Sequence, residues 1–226
     1  MQSNEILLEC RELKKSFQIR RRNMPILNGL NLQIKRGEIV AISGKSGAGK
    51  STLIGLLAGL ERATSGVIVL ENNHFDKLSN EKLALLRRQK IGIIFQNFNL
   101  LPSWTTFENV QAALMHRGLS QREQNNRIEP LLNQLGLRER YNSLPAELSI
   151  GEQQRVAVAR ALVSEPELIL ADEPAINVDA ENAKDIINHL VSAVRKNGAT
   201  MILATHGDTL LNICDRVLNL ENGVFC

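Results

Sequence analysis

The N-terminal part of the chain reads as alternating strand and turn. Short apolar runs of strand length occur at Ile6 to Glu9, Ser16 to Ile19, Leu32 to Ile34 and Glu38 to Ser43, with turn signals at Asn23 to Pro25 and at Arg36-Gly37. After Gly49 the apolar positions take a helical spacing, and a Thr-Ser-Gly turn leads into a further strand over Gly66 to Leu70. From Asn80 to Leu137 the period is mostly helical, interrupted by the strand-like Ile91 to Phe95, in a composition richer in Arg, Gln and Asn. This stretch predicts a helical lobe. Three apolar strand-length runs follow, Leu168 to Ala171, Met201 to Thr205 and Val217 to Leu220, with a helix over Ala180 to Lys196 stopped by Asn197-Gly198. Apolar strands alternating with helices predict an α/β fold on a mostly parallel sheet covered on both faces, which takes ligands beyond the carboxyl ends of its strands.

Composition narrows the picture. A chain of 226 residues, 43% hydrophobic, without repeats or Pro/Gly/Ser-rich linkers, fits one domain over residues 1–226. Its net charge of +3 lacks the basic excess of a dedicated nucleic-acid binder, so no direct nucleic-acid partner is expected. The basic Arg20 to Arg22 reads as a solvated turn. Cys10, Cys214 and Cys226 are far apart and form no C-x-x-C pair, which argues against a disulfide framework or a zinc site and for a reducing compartment. Neither a signal peptide nor an apolar run of the ~18 residues that span a bilayer is present, so the chain is not expected to form a channel itself.

Candidate chemistry begins at Gly44-Lys45-Ser46-Gly47-Ala48-Gly49-Lys50-Ser51, a G-x-x-x-x-G-K-[ST] phosphate loop between an apolar strand and a helix that continues through Thr52. Its glycines let consecutive backbone N–H groups turn toward one anion, and the helix start adds the positive end of its dipole. Lys50 is expected to reach the β- and γ-phosphates of ATP, and Ser51 to bind Mg²⁺. Leu168 to Glu173 is an apolar strand ending in two carboxylates. Asp172 is the expected Mg²⁺ partner, leaving Glu173 to orient or deprotonate the attacking water. A third segment, Leu148-Ser149-Ile150-Gly151-Glu152-Gln153-Gln154-Arg155, offers a hydroxyl and an unobstructed N–H at a helix start. Ser149 followed by Glu152 also reads as a plain capping box.

This segment resembles the LSGGQ-type signature of ABC ATPases, and with the order of the other motifs the resemblance spans nearly the whole chain. It implies a RecA-like P-loop NTPase fold with an antiparallel β subdomain and an inserted helical lobe. Residues 1–86 and 163–226 would form the catalytic core and 87–162 the helical subdomain. It implies a homodimer in which each ATP lies between the phosphate loop of one copy and Ser149 and Gly151 of the other. Phe17 then matches the aromatic that stacks on adenine. Gln96 matches the Q-loop glutamine that touches Mg²⁺ and water, His206 the switch histidine at the γ-phosphate, and Asp179 the D-loop aspartate at the interface. The family also implies permease partners and a peripheral place on the cytoplasmic face of the inner membrane.

Several positions depart from the family pattern. Ile150 replaces the first signature glycine, Ala175 and Ile176 stand for Thr and Gly after the carboxylates, and Gly207 follows the histidine in place of Asp. None removes a residue with direct chemistry, but bulk at Ile150 and Ile176 is expected to tune or slow closure, with slow turnover in the absence of the membrane partner. Gln96 to Pro102 with Thr106 to Val110 resembles the lipoprotein-releasing, macrolide-efflux and cell-division subgroup, which implies export, extraction or mechanotransmission and, beyond the permease, periplasmic and outer-membrane components. Polar amino-acid importers share much of this string. A DNA-repair ATPase would need a long coiled coil between the phosphate loop and the signature, and Asn80 to Leu137 lacks sustained heptads. A small-molecule kinase would leave the signature and His206 without a task.

Overall fold

The computed structural model describes residues 5–20, 22–174, 180–206 and 213–226. Strands β1 (Ile6–Ile19) and β2 (Arg22–Lys35) form one long antiparallel hairpin, paired from Ile6 with Lys35 to Ile19 with Arg22. The sequence reads three short segments here, two of them in β1, because β1 bulges. Glu12 has φ +46°, and the register shifts between Cys10 and Leu13, which breaks the two-residue alternation. The expected turn at Asn23 to Pro25 is corrected: these residues lie inside β2, with Pro25 opposite Ser16. β2 is an edge strand, so the missing N–H of Pro25 costs no ladder bond. Strands β4 (Ser65–Leu70) and β5 (Asn73–His74) complete this sheet in the order β2-β1-β4-β5.

The second sheet contains β3 (Ile39–Ser43), β6 (Ile91–Ile94), β7 (Leu168–Asp172), β8 (Thr200–Ala204), β9 (Arg216–Glu221) and β10 (Val224–Phe225), in the order β10-β9-β3-β8-β7-β6. All neighbours are parallel except the edge pair β9 and β10. Its strands carry near-continuous apolar runs because both faces are covered. Val40, Ile42, Leu168, Leu170, Ile202 and Ala204 enter one core, with helix α1 (Lys50–Leu57) and the antiparallel sheet. Ile39, Ile169, Ala171, Met201 and Leu203 enter the other, with helices α3 (Thr106–Gln111), α4 (Gln121–Gln134), α5 (Ile150–Leu162) and α6 (Ala180–Lys196). Helix α2 (Asn80–Lys90) runs into β6.

The helix starts were written locally. Ser79, Thr105, Ser120 and Ser149 cap α2, α3, α4 and α5, and in the last three Glu108, Glu123 and Glu152 close full capping boxes. Gly198, at φ +63°, ends the α6 region as Asn197-Gly198 predicts.

Candidate active site

Parallel register brings the ends of β3, β8, β7 and β6 to one rim of the sheet. Ile42 lies opposite Ala204, Asp172 opposite Ala204, and Ile94 opposite Ala171. The loops leaving these ends carry the phosphate loop, His206, Glu173 and Gln96 respectively. Glu173 N donates to Ala204 O at 2.9 Å and Thr205 N to Ile42 O at 3.0 Å, which carries the strand register one step further into these loops.

Two clefts flank the phosphate loop. One, of about 560 Å³, is lined by Ser46, Gly47, Gly49, Lys50, Ser51, Thr52, Gln96, Glu173 and His206, with Met24 and Ile26 of β2. The other, of about 660 Å³, has Lys45 and Ala48 on its wall together with the β9 to β10 turn, and shares Ser46 and Gly47 with the first. The first is the chemical one despite its smaller size, because the cation, carboxylate and imidazole all open into it.

Gly49 caps α1 in the left-handed region, φ +102°, and supplies no side chain to the helix start; the first turn carries no acidic residue. The positive end of α1 therefore faces the cleft without an internal counter-charge. Lys50 is only 5% exposed; its Nζ donates to Gly44 O at 2.8 Å and Lys45 O at 3.2 Å and lies 3.5 Å from Glu173 Oε1. The same Glu173 oxygen is 3.3 Å from His206 Nδ1. Next to it, burial pushes the Asp172 carboxyl above the usual carboxylate range, opposed by a hydrogen bond from Ser51. Asp172 Oδ1 is buried with no hydrogen-bond partner among the described residues. An orphaned carboxylate oxygen beside a hydroxyl fits a small divalent cation that keeps oxygen ligands from water or phosphate. Among the described residues no cluster of three His, Cys, Asp or Glu side chains could cage a metal alone.

Other expected residues lie outside the first cleft. Gly44 is at the base of the loop, its α-carbon turned toward Leu220 O. Phe17 lies on β1 opposite Met24, with Lys15 Nζ 4.6 Å from its ring centroid, and does not line the cleft itself. Ser149 and Gly151 are at the start of α5 and line neither cleft, and Ser149 Oγ donates to Glu152 Oε2 at 2.9 Å. Asp179, with Ala175, Ile176 and Gly207, falls outside the described residues. Met24 and Ile26 went unread as site residues; two apolar side chains flanking Pro25 at alternating positions were the available sign of a strand.

The sequence profile of the ABC transporter family matches residues 27–176. The chain is 43% identical over 219 residues to the uncharacterized ABC transporter ATP-binding protein YbbA of Escherichia coli K12, covering 97% of this chain and 96% of that one. It is 38% identical over 220 residues to the lipoprotein-releasing system ATP-binding protein LolD of Legionella pneumophila strain Lens, covering 97% of each. Among solved structures, the ATP-binding cassette MJ0796, a dimer in a post-hydrolysis state bound to ADP and Pi, superposes with a TM-score of 0.91 at 34% identity over 96% of each chain. No helix of the described residues is long and apolar enough to cross a membrane. With the phosphate loop, the paired carboxylates and the histidine gathered at one rim, and with these likenesses running the length of the chain, the protein belongs to the ABC transporter family as an ATP-binding subunit that hydrolyses ATP.

Proposed function

We propose that the cleft bounded by Lys50, Gln96, Glu173 and His206 holds the triphosphate of ATP, that a second copy of the chain closes it with Ser149 and Gly151, and that closure drives a separate membrane permease. The observation that carries this reading is the convergence of cation, hydroxyl, carboxylate, amide and imidazole from four neighbouring strand ends on one cleft. In it, residues 44–52 wrap the phosphates, and Lys50 exchanges two neutral carbonyl partners for phosphate oxygens, a stronger charge-assisted pairing. Glu173 orients or deprotonates the attacking water, and His206, in reach of the same carboxylate oxygen, contacts the γ-phosphate. Ser51 and Asp172 would hold Mg²⁺, with Gln96 completing the site. When bound, such an ion neutralises charge on the β- and γ-oxygens.

The start of α5 suits the partner's side of the sandwich, since Ile150 there is 52% exposed. Asp179 would meet the same interface. Adenine would lie against the Phe17 and Met24 end of the hairpin. Residues 87–162 act as the lobe that moves with the permease, at the cytoplasmic face of the membrane. The likeness to the lipoprotein-releasing system protein LolD favours release of lipoprotein; export or extraction of peptide or drug cargo, with periplasmic and outer-membrane components beyond the permease, rests on the resemblance carried by Gln96 to Pro102 and Thr106 to Val110.

Glu173→Gln tests the arrangement. The variant is expected to bind Mg-ATP while turning over ATP at least ~10³-fold more slowly, the scale on which a positioned general base acts. On size exclusion it should run as a dimer with Mg-ATP and as a monomer without. Near-normal hydrolysis would remove Glu173 from the chemistry, and a monomer at saturating Mg-ATP would overturn the sandwich.

A further inference from the structure

Gln96 is followed by a bend that its side chains do not favour. Phe98 and Asn99 both sit in the left-handed region, φ +58° and +49°. For phenylalanine that conformation costs about 1 to 2 kcal/mol. The bend is tight, with Phe98 N donating to Phe95 O at 3.1 Å and Asn99 N to Asn97 O at 2.5 Å. One side chain meets the carbonyls of both left-handed residues. Arg160 of α5 donates from Nη1 to Asn99 O at 2.6 Å and from Nη2 to Phe98 O at 2.5 Å. Burial depresses the Arg160 pKa, and no carboxylate of the described residues offsets that burial. A desolvated guanidinium held by neutral carbonyls is costly, and the planar fork matches two adjacent oxygens as a lysine ammonium does not.

The rest of the loop is anchored separately. Asn109 of α3, fully buried, donates to Leu101 O, Trp104 O and Thr105 O and accepts from Leu101 N. The half nearest Gln96 therefore takes its side-chain anchor from α5, the helix that Ser149 opens. From Gly151 to Arg160 that helix is a rod about 14 Å long.

We propose that Arg160 is a positioning residue that ties the Gln96 loop to α5, so that movement of Ser149 and Gly151 onto a partner's nucleotide moves Gln96 with it. The proposal rests on the roles assigned above to Gln96, Ser149 and Gly151. Arg160→Lys keeps the charge and removes the fork. It should lower kcat for ATP by about 10- to 100-fold, the scale of a misplacement near 1 Å, with KM within about twofold, because the phosphate loop is untouched. Amide exchange at Asn97 to Asn99 should rise. Combined with Gln96→Ala, itself slow, Arg160→Lys should cost almost nothing further, since both act through one group. A general loss of fold would move KM and melting temperature together.

Wild-type kcat in Arg160→Lys, or effects that multiply in the double variant, would overturn the positioning role while leaving Gln96 slow on its own. A wild-type rate in Gln96→Ala would overturn the catalytic reading of Gln96, and this proposal with it.

Discussion

Gly44 and Gly47 occupy the same loop but are glycine for different reasons. A Cβ on Gly44 would lie 2.4 Å from Leu220 O, a backbone atom of β9 that cannot swing aside, whereas a Cβ on Gly47 would meet nothing within 4 Å. Gly47 is held only by its φ of +81°, a conformational cost of about 1 to 2 kcal/mol for alanine. Gly44→Ala should therefore displace the loop from β9, lowering the melting temperature and ATP affinity together. Gly47→Ala should cost only about 1 kcal/mol of stability and lower the melting temperature less than Gly44→Ala does. Thermal melts and ATP titrations of the two variants check this, and equal effects would refute the distinction. At this scale the sequence was informative for Lys50, Ser51, Gln96, Glu173 and His206, because each follows a strand whose apolar run marks where it ends. It was silent on Arg160 and Asn109. Their partners are backbone groups, which carry no residue identity and leave no trace in a spacing pattern.

Elements were legible where a period ran unbroken. The helix over Ala180 to Lys196 and the start of α5 at Ser149 appear as read, but the β1 to β2 hairpin was divided by a bulge and by a proline that only an edge strand tolerates. The start of α5 also carries a pH signature. Glu152 Oε2 accepts from Ser149 N at 2.8 Å, and Arg140 Nε donates to Oε1 at 2.8 Å. The backbone bond from Ser149 is the largest cause that holds the Glu152 pKa down, at about 2, with Arg140 adding to it. A carboxyl whose folded pKa is depressed adds stability at neutral pH, and that contribution disappears as pH falls from about 4.5 toward about 2. Solvent screening limits it to on the order of 1 kcal/mol. Urea unfolding of the wild type and of Glu152→Gln, which keeps the cap but not the charge, should differ at pH 6, differ less near pH 3 and converge only at about pH 2 or below. A difference that persists at low pH would show that packing, not ionisation, sets the contribution of this box.

Across the whole molecule, stability and chemistry occupy opposite ends of the parallel strands. Where those strands begin, Arg36 pairs with Glu5, Glu71 and Glu167, and Lys90 with Glu71 and Glu167, binding the antiparallel sheet, α2 and the approach to β7 together. Where they end, one buried carboxylate oxygen has no hydrogen-bond partner among the described residues and suits a cation, while a lysine resting on carbonyls suits a polyanion. The surface that would complete such a site is the start of α5, and there Ile150 presents an exposed apolar side chain where the family pattern has glycine. An isoleucine beside the donors of Ser149 and Gly151 must be accommodated each time a second copy approaches, and overpacking of a close contact costs about 1 to 3 kcal/mol. Its removal from the isolated subunit costs at most about 1 kcal/mol, the helix-propensity difference of a glycine near a helix end. Ile150→Gly should then raise ATP turnover of the isolated subunit by roughly tenfold, the rate equivalent of about 1.4 kcal/mol. In a Glu173→Gln background it should lower the ATP concentration needed for dimer formation on size exclusion. If turnover and the dimerisation midpoint both stay where they were, Ile150 faces solvent in the closed state as well, and slow closure must be sought in residues 175–179 instead.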